Sequence, residues 1–184
     1  MKESRPIILW LISGCLLIFI MVIIGGITRL TDSGLSMVDW SIYGELPTEA
    51  NILKSYKDWE ESPQGKQLNF KEIEEFKKIY FWEYIHRMIG RLLGLVFIIP
   101  FIYFLVKKKL NRKLIYQSLL LFTMGAMQGG IGWWMVKSGL VKNPDVSHFR
   151  LAIHLTTAFL TCAFTLWVAL PLIYRDKREG NKKL

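Results

Sequence analysis

Three stretches of this chain are too apolar for water: Ile7 to Ile27 runs 21 residues without a charge, Leu114 to Val136 runs 23, and Leu151 to Tyr174 runs 24 with only His154 ionisable. Crossing a bilayer takes about 20 apolar residues as helix, so each predicts a transmembrane span. Ile79 to Val106 predicts a fourth. Glu83, His86, Arg87 and Arg91 crowd its first half, while Leu92 to Val106 is uncharged. The expected fold is an all-α, four-transmembrane-helix up-down bundle, a single membrane domain over residues 1–184, with helices at about 6–29, 79–106, 114–136 and 150–174. A content of 52% hydrophobic and 14% aromatic residues fits that class better than a soluble one.

A formal net charge of +9 would suit a nucleic-acid partner, but the positions of the charges exclude that reading. Lys2 and Arg5 precede the first span; Lys107, Lys108, Lys109, Arg112 and Lys113 join the second to the third; Arg175, Lys177, Arg178, Lys182 and Lys183 follow the fourth. By the positive-inside rule these segments are cytoplasmic, and both termini with them. Residues 30–78 carry ten Asp or Glu against six Lys and fall on the outer side. A loop of that length should carry short helices of its own. Lys71 to Tyr80 reads as an amphipathic helix leading into span two, with Pro47 and Pro63 breaking what precedes it.

The first span resembles a signal peptide in its basic start, but Gly25-Gly26-Ile27-Thr28-Arg29 is no small-x-small cleavage site, so a retained helix is expected. No Arg- and Ser-rich transit segment precedes it, which points to a bacterial cell membrane ahead of the mitochondrial inner membrane. Cys15 and Cys162 both fall inside spans, where buried, inert thiols are expected and a disulfide is not.

Charged and ionisable groups inside a membrane need a partner or a purpose. His86 lies about two turns into span two and His154 about one turn into span four, both counted from the outer face, so at about 1.5 Å per residue their depths nearly coincide. Two imidazoles at one depth on two helices are what a bis-histidine heme requires. Gly90 and Gly94 continue the His86 face, and Gly125, Gln128, Gly129 and Gly132 form a small-residue stripe on span three. Such glycines leave room for a flat macrocycle; they equally serve helices that merely pack closely. Glu83, three residues before His86, reads as a general base, a proton relay, or the ion-pair partner of Arg87, and spacing favours the pair. Arg29, Arg87, Arg91 and Arg150 are candidates to hold porphyrin propionates, or else snorkel to the interface. His148, in the outer loop or at the helix mouth, reads as a solvated histidine, with a ligand role as the lesser alternative. Trp82, Trp133, Trp134 and Tyr80 fall where an aromatic belt accounts for them.

Gly25 to Trp40 (GGITRLTDSGLSMVDW), Trp82 to Arg91 (WEYIHRMIGR), Gln128 to Gly139 (QGGIGWWMVKSG) and Ser147 to His154 (SHFRLAIH) together resemble the heme A synthase family, in the branch without an outer-loop cysteine pair. The resemblance implies oxidation of a ring methyl of heme O to the formyl of heme A, for cytochrome oxidase assembly. It implies His86 and His154 as axial ligands of the substrate heme iron and Glu83, from Glu-x-x-His-Arg, as the catalytic carboxylate. The family usually has eight spans in two halves, the second with its own histidine pair and a heme b for electron transfer. This chain matches the first, catalytic half. A second half, a partner chain or a homo-oligomer would then supply heme b, and a heme O synthase and assembly factors are the implied partners beside membrane lipid. Two rival readings use the same residues: a non-enzymatic bis-histidine heme b carrier or heme chaperone, and a truncated, inactive half or assembly partner.

Overall fold

The computed structural model describes residues 5–38, 46–70, 72–141 and 145–181, with backbone alone at 138–141 and 176–181. Lys2, Trp40, Lys71, Lys182 and Lys183 lie outside the described residues, as do the side chains of Lys177 and Arg178. Among the described residues there are six α-helices: α1 (Arg5–Leu30), α2 (Glu49–Glu60), α3 (Pro63–Leu68), α4 (Ile73–Val106), α5 (Arg112–Val141) and α6 (His148–Asn181). A 3-10 turn at Ser33–Leu35 follows α1, and the described residues hold no strand.

α1, α4, α5 and α6 are long and apolar enough to cross a membrane. Within their most apolar windows only 11 to 22% of residues are buried in the protein. Leu9 (69%), Ile99 (61%) and Leu160 (56%) stand exposed. So much outward apolar surface is unfavourable in water and at home among acyl chains. The chain is a multi-pass membrane protein.

The amphipathic segment expected before span two is continuous with it. α4 is one helix of 34 residues, because no proline interrupts the chain between Ile73 and Pro100. Glu74 and Glu75 in its first turn also suit the positive end of the helix dipole.

The chain divides into two compact units, to both of which the four long helices contribute. One comprises Met1–Ile20, Arg91–Gln128 and Thr156–Leu184. Its core gathers Trp10, Leu11, Phe101, Phe104, Leu114, Leu121, Val168 and Ala169, with the Trp10 ring 4.9 Å from that of Phe97 and 5.7 Å from that of Phe104. The α4–α5 turn closes without glycine: Lys108 takes a left-handed conformation at φ 52°, and the Lys109 N–H donates to the Phe104 carbonyl at 2.9 Å. Asn111 then caps α5, its Oδ1 accepting from the Leu114 N–H at 2.8 Å.

The other unit comprises Met21–Gly90 and Gly129–Leu155. Its core is aromatic, built on Met37, Trp59, Phe76, Ile79 and Tyr80 with Tyr56 and Phe70 packed against them. Both short helices here have side-chain N-caps. Thr48 accepts from the Asn51 N–H at 3.3 Å, and Ser62 accepts from the Gly65 N–H at 3.1 Å. Pro63 opens α3 at its first turn, where a missing N–H is harmless. Gln64 ties the segment down, accepting from the Trp59 indole at 2.9 Å and donating to the Asp32 carbonyl at 2.8 Å.

Candidate functional site

His86 on α4 and His154 on α6 belong to the same unit, and the two imidazoles lie within electrostatic reach of each other. Both residues are half-buried. Nδ1 of each is sealed from solvent, and Nδ1 of His86 has no hydrogen-bond partner. With Nδ1 enclosed, Nε2 is the ring nitrogen of His86 left to serve as a ligand. Among the described residues no group of three or more His, Cys, Asp or Glu could hold a metal ion. Two imidazoles are half the set a tetrahedral metal needs, but they complete the axial set of an iron already held by a macrocycle.

Glu83 lies one turn before His86, only 3% exposed, and both its oxygens are in use. Oε1 pairs with Arg87 Nη2 at 2.6 Å. Oε2 accepts from the Ser36 hydroxyl at 2.7 Å and from the Met37 N–H at 2.9 Å. The same Arg87 nitrogen donates to the Met37 carbonyl at 2.9 Å. A two-residue patch of the chain after α1 is thereby clamped to the first half of α4, across 46 to 50 residues of sequence. Burial makes these charge-assisted bonds stronger than surface pairs and makes each partner hard to remove alone.

The remaining candidates separate. Arg29 pairs with Asp32 at 3.6 Å on a part-exposed surface. Arg150 donates to the Trp134 carbonyl at 2.8 Å and stacks 4.2 Å from that ring. Gly90 faces Met21, whose Cε would lie 3.6 Å from an added Cβ, whereas Gly129 faces open space. These five sites of interest, Arg29, Arg87, Gly90, Gly129 and Arg150, share the unit of the histidine pair. Arg91, Gly94 and Gln128 fall in the other unit, where Gln128 donates to the Thr157 hydroxyl at 2.6 Å. His148 is exposed at the start of α6. Cys15 and Cys162 are free thiols, each 3.7 to 3.8 Å from the other's carbonyl oxygen.

Sequence reasoning missed Ser36 and Met37 as partners of Glu83, and missed what Gly25 and Gly132 do. An added Cβ at Gly25 would lie 3.3 Å from His86 Cε1, and one at Gly132 would lie 3.4 Å from His154 Cε1. The signal for Ser36 and Gly25 was their place inside the Gly25 to Trp40 stretch; its pairing with α4 needs the fold.

The chain matches the model of the cytochrome oxidase assembly protein family over residues 8–184. It is similar to the curated heme A synthase of Flavobacterium psychrophilum, 54% identical over 185 residues that make up 97% of this chain and 55% of that protein. The heme A synthase of Flavobacterium johnsoniae is 52% identical over 189 residues, 100% of this chain and 55% of that protein. That of Nitrosospira multiformis is 49% identical over 179 residues, 92% of this chain and 49% of that protein. The chain thus spans about half the length of the curated relatives it matches. No solved structure matches it significantly.

Proposed function

The chain belongs to the cytochrome oxidase assembly protein family, and on that premise we propose that it forms a four-helix half of a heme A synthase, oxidising a ring methyl of heme O to the formyl of heme A. The observation that carries this reading is the histidine pair: two imidazoles of one unit, in electrostatic reach, with Nδ1 of His86 enclosed so that Nε2 is the nitrogen left for an axial bond. His86 and His154 would hold the iron. The heme supplies both that iron and the methyl to be oxidised.

Arg29 and Arg150 are the guanidiniums this reading assigns to the propionates. The Arg29 pair with Asp32 is long and part-exposed, so exchanging it for a bidentate propionate contact sacrifices little. Glu83 is the carboxylate of the site. A proton taken at Oε1 would break the hydrogen bond from Arg87, whereas one taken at Oε2 would neutralise the carboxylate but leave that hydrogen bond in place. The Ser36 hydroxyl both donates and accepts, and the Ser33 carbonyl lies 3.1 Å from it as an alternative acceptor. Ser36 can therefore turn its hydrogen to Ser33 and accept the proton now on Oε2. Glu83 holds a proton at that atom while the clamp stays closed.

The basic turn between α4 and α5 faces the cytoplasm in this proposal, which places the histidines toward the outer face. The chain has three histidines, of which one pair is used. A heme b for electron transfer therefore belongs to a second half, a partner chain or another copy. Heme O arrives from a heme O synthase, and heme A passes on to cytochrome oxidase assembly.

Co-expression of the full chain with a source of heme O, followed by chromatography of extracted hemes, tests the proposal. Formyl heme is expected from the wild type, and heme O accumulation from His86→Ala, His154→Ala and Glu83→Gln. Heme b alone in the purified wild type would favour the carrier reading, and absence of any Soret band the inactive half.

A further inference from the structure

An imidazole that ligates a metal is ordinarily aimed by a hydrogen bond at its other nitrogen. His86 has none: its Nδ1 is buried without a partner. What stands beside the ring instead is backbone. On α1, the Cβ position of Gly25 lies 3.3 Å from His86 Cε1 and 3.7 Å from Nδ1. On α5, the Cβ position of Gly132 lies 3.4 Å from His154 Cε1 and 3.9 Å from Nε2. All four residues belong to one unit. Neighbouring glycines on the same two helices are different: at Gly26 and Gly130 an added Cβ meets nothing within 4 Å.

We propose that Gly25 and Gly132 are positioning residues for the two imidazoles, α1 and α5 each presenting bare backbone to the Cε1 edge of one ring. The inference rests on the reading of His86 and His154 as axial ligands. The two contacts act on different edges. Gly25 abuts the Cε1–Nδ1 edge of His86, the edge that does not carry Nε2. Gly132 abuts the Cε1–Nε2 edge of His154 and adds no side chain beside the nitrogen that would reach the iron.

Substituting alanine has distinct consequences at the two positions. At residue 25 the methyl would sit inside the optimal carbon–carbon separation of about 3.5 to 4.0 Å, so something must shift by a few tenths of an ångström. α4 is pinned one turn away by the Glu83 and Arg87 clamp, so the shift falls on the His86 ring. At residue 132 the methyl would press on His154 Cε1 at 3.4 Å, just short of that separation, and would stand 3.9 Å from Nε2, on the edge of the ring that carries the ligating nitrogen.

The test uses the full chain in detergent or nanodiscs, titrated with hemin, with dissociation constant and spin state as readouts. Wild type, Gly26→Ala and Gly130→Ala are expected to give the same six-coordinate, low-spin complex. Gly25→Ala and Gly132→Ala are expected to bind hemin roughly tenfold or more weakly and to shift toward the high-spin spectrum. In a His86→Ala background, Gly25→Ala should have no further effect. Should Gly25→Ala fail to fold, adding His86→Ala must restore folding, because it removes the colliding ring; no restoration overturns the proposal. Wild-type affinity and spin state in Gly25→Ala and Gly132→Ala would overturn it too, as would equal losses in the Gly26→Ala and Gly130→Ala controls. Wild-type protein that forms no low-spin hemin complex would instead remove the ligand reading itself, and this inference with it.

Discussion

Glu83 and Arg87, four residues apart on α4, form a buried ion pair at 2.6 Å with side chains only 5% and 9% exposed. The pair does more than neutralise two charges inside a span. Arg87 also reaches the Met37 carbonyl, and Glu83 the Ser36 hydroxyl and Met37 N–H. The segment after α1 and the start of α4 thus share one polar node.

Removing one partner of such a pair strands a charge. Arg87→Ala should destabilise the protein by about 3 to 5 kcal/mol, read as a lower melting temperature of the purified protein. The double variant Glu83→Leu/Arg87→Leu should melt above Arg87→Ala, because no unpaired charge remains buried. Equal melting of the two would show that the Glu83 bonds to Ser36 and Met37 are worth as much as the stranded charge costs.

Gln64 is the corresponding node of the loop. Its side chain joins Trp59, itself fully buried, to the Asp32 carbonyl. Gln64→Leu leaves an indole N–H and a carbonyl without partners, at about 1 to 3 kcal/mol each. Faster proteolysis between α1 and α4 is expected, whereas the exposed Gln67 should tolerate leucine. Indistinguishable digestion of the two variants would argue against the node.

The spans were legible because apolar run length decides membrane crossing, as the 21 uncharged residues from Ile7 to Ile27 illustrate. Less legible was what periodicity does not encode. Spacing correctly paired Glu83 with Arg87, since i,i+4 neighbours meet on any helix. It could not show Ser36 arriving at the same carboxylate from 47 residues away. Likewise Gln128 continues the glycine stripe in sequence yet bonds Thr157 in the other unit. Gly132 stood in the sequence as one member of a small-residue stripe and Gly25 as one residue of a motif; only their distances to two imidazoles separate them from Gly26 and Gly130.

Ser118 offers a prediction of opposite sign. It is fully buried, and its hydroxyl has no hydrogen-bond partner. An unsatisfied buried hydroxyl is a liability, so Ser118→Ala should leave the melting temperature unchanged or raise it, by about 1 kcal/mol of stability. Thr165, equally buried, donates to the Thr161 carbonyl at 2.7 Å, and Thr165→Val should lower it. A substantial loss in Ser118→Ala would reveal a bound water or ligand at that hydroxyl.

Between α5 and α6, Gln128 donates to the Thr157 hydroxyl at 2.6 Å. Among apolar helices in lipid, burying side chains supplies no hydrophobic drive, so helices associate through packing and such hydrogen bonds. Measured interhelical bonds of this kind average about 0.6 kcal/mol and reach about 1.7, because the separated helices find other partners. A double-mutant cycle of Gln128→Leu and Thr157→Val should therefore give a coupling in that range. A coupling near zero would mean that the bond only replaces equivalent contacts. A coupling well above 2 kcal/mol would mean that the pair belongs to a larger polar network, for which Thr161, donating to the Thr157 carbonyl at 2.8 Å, is the next member to substitute.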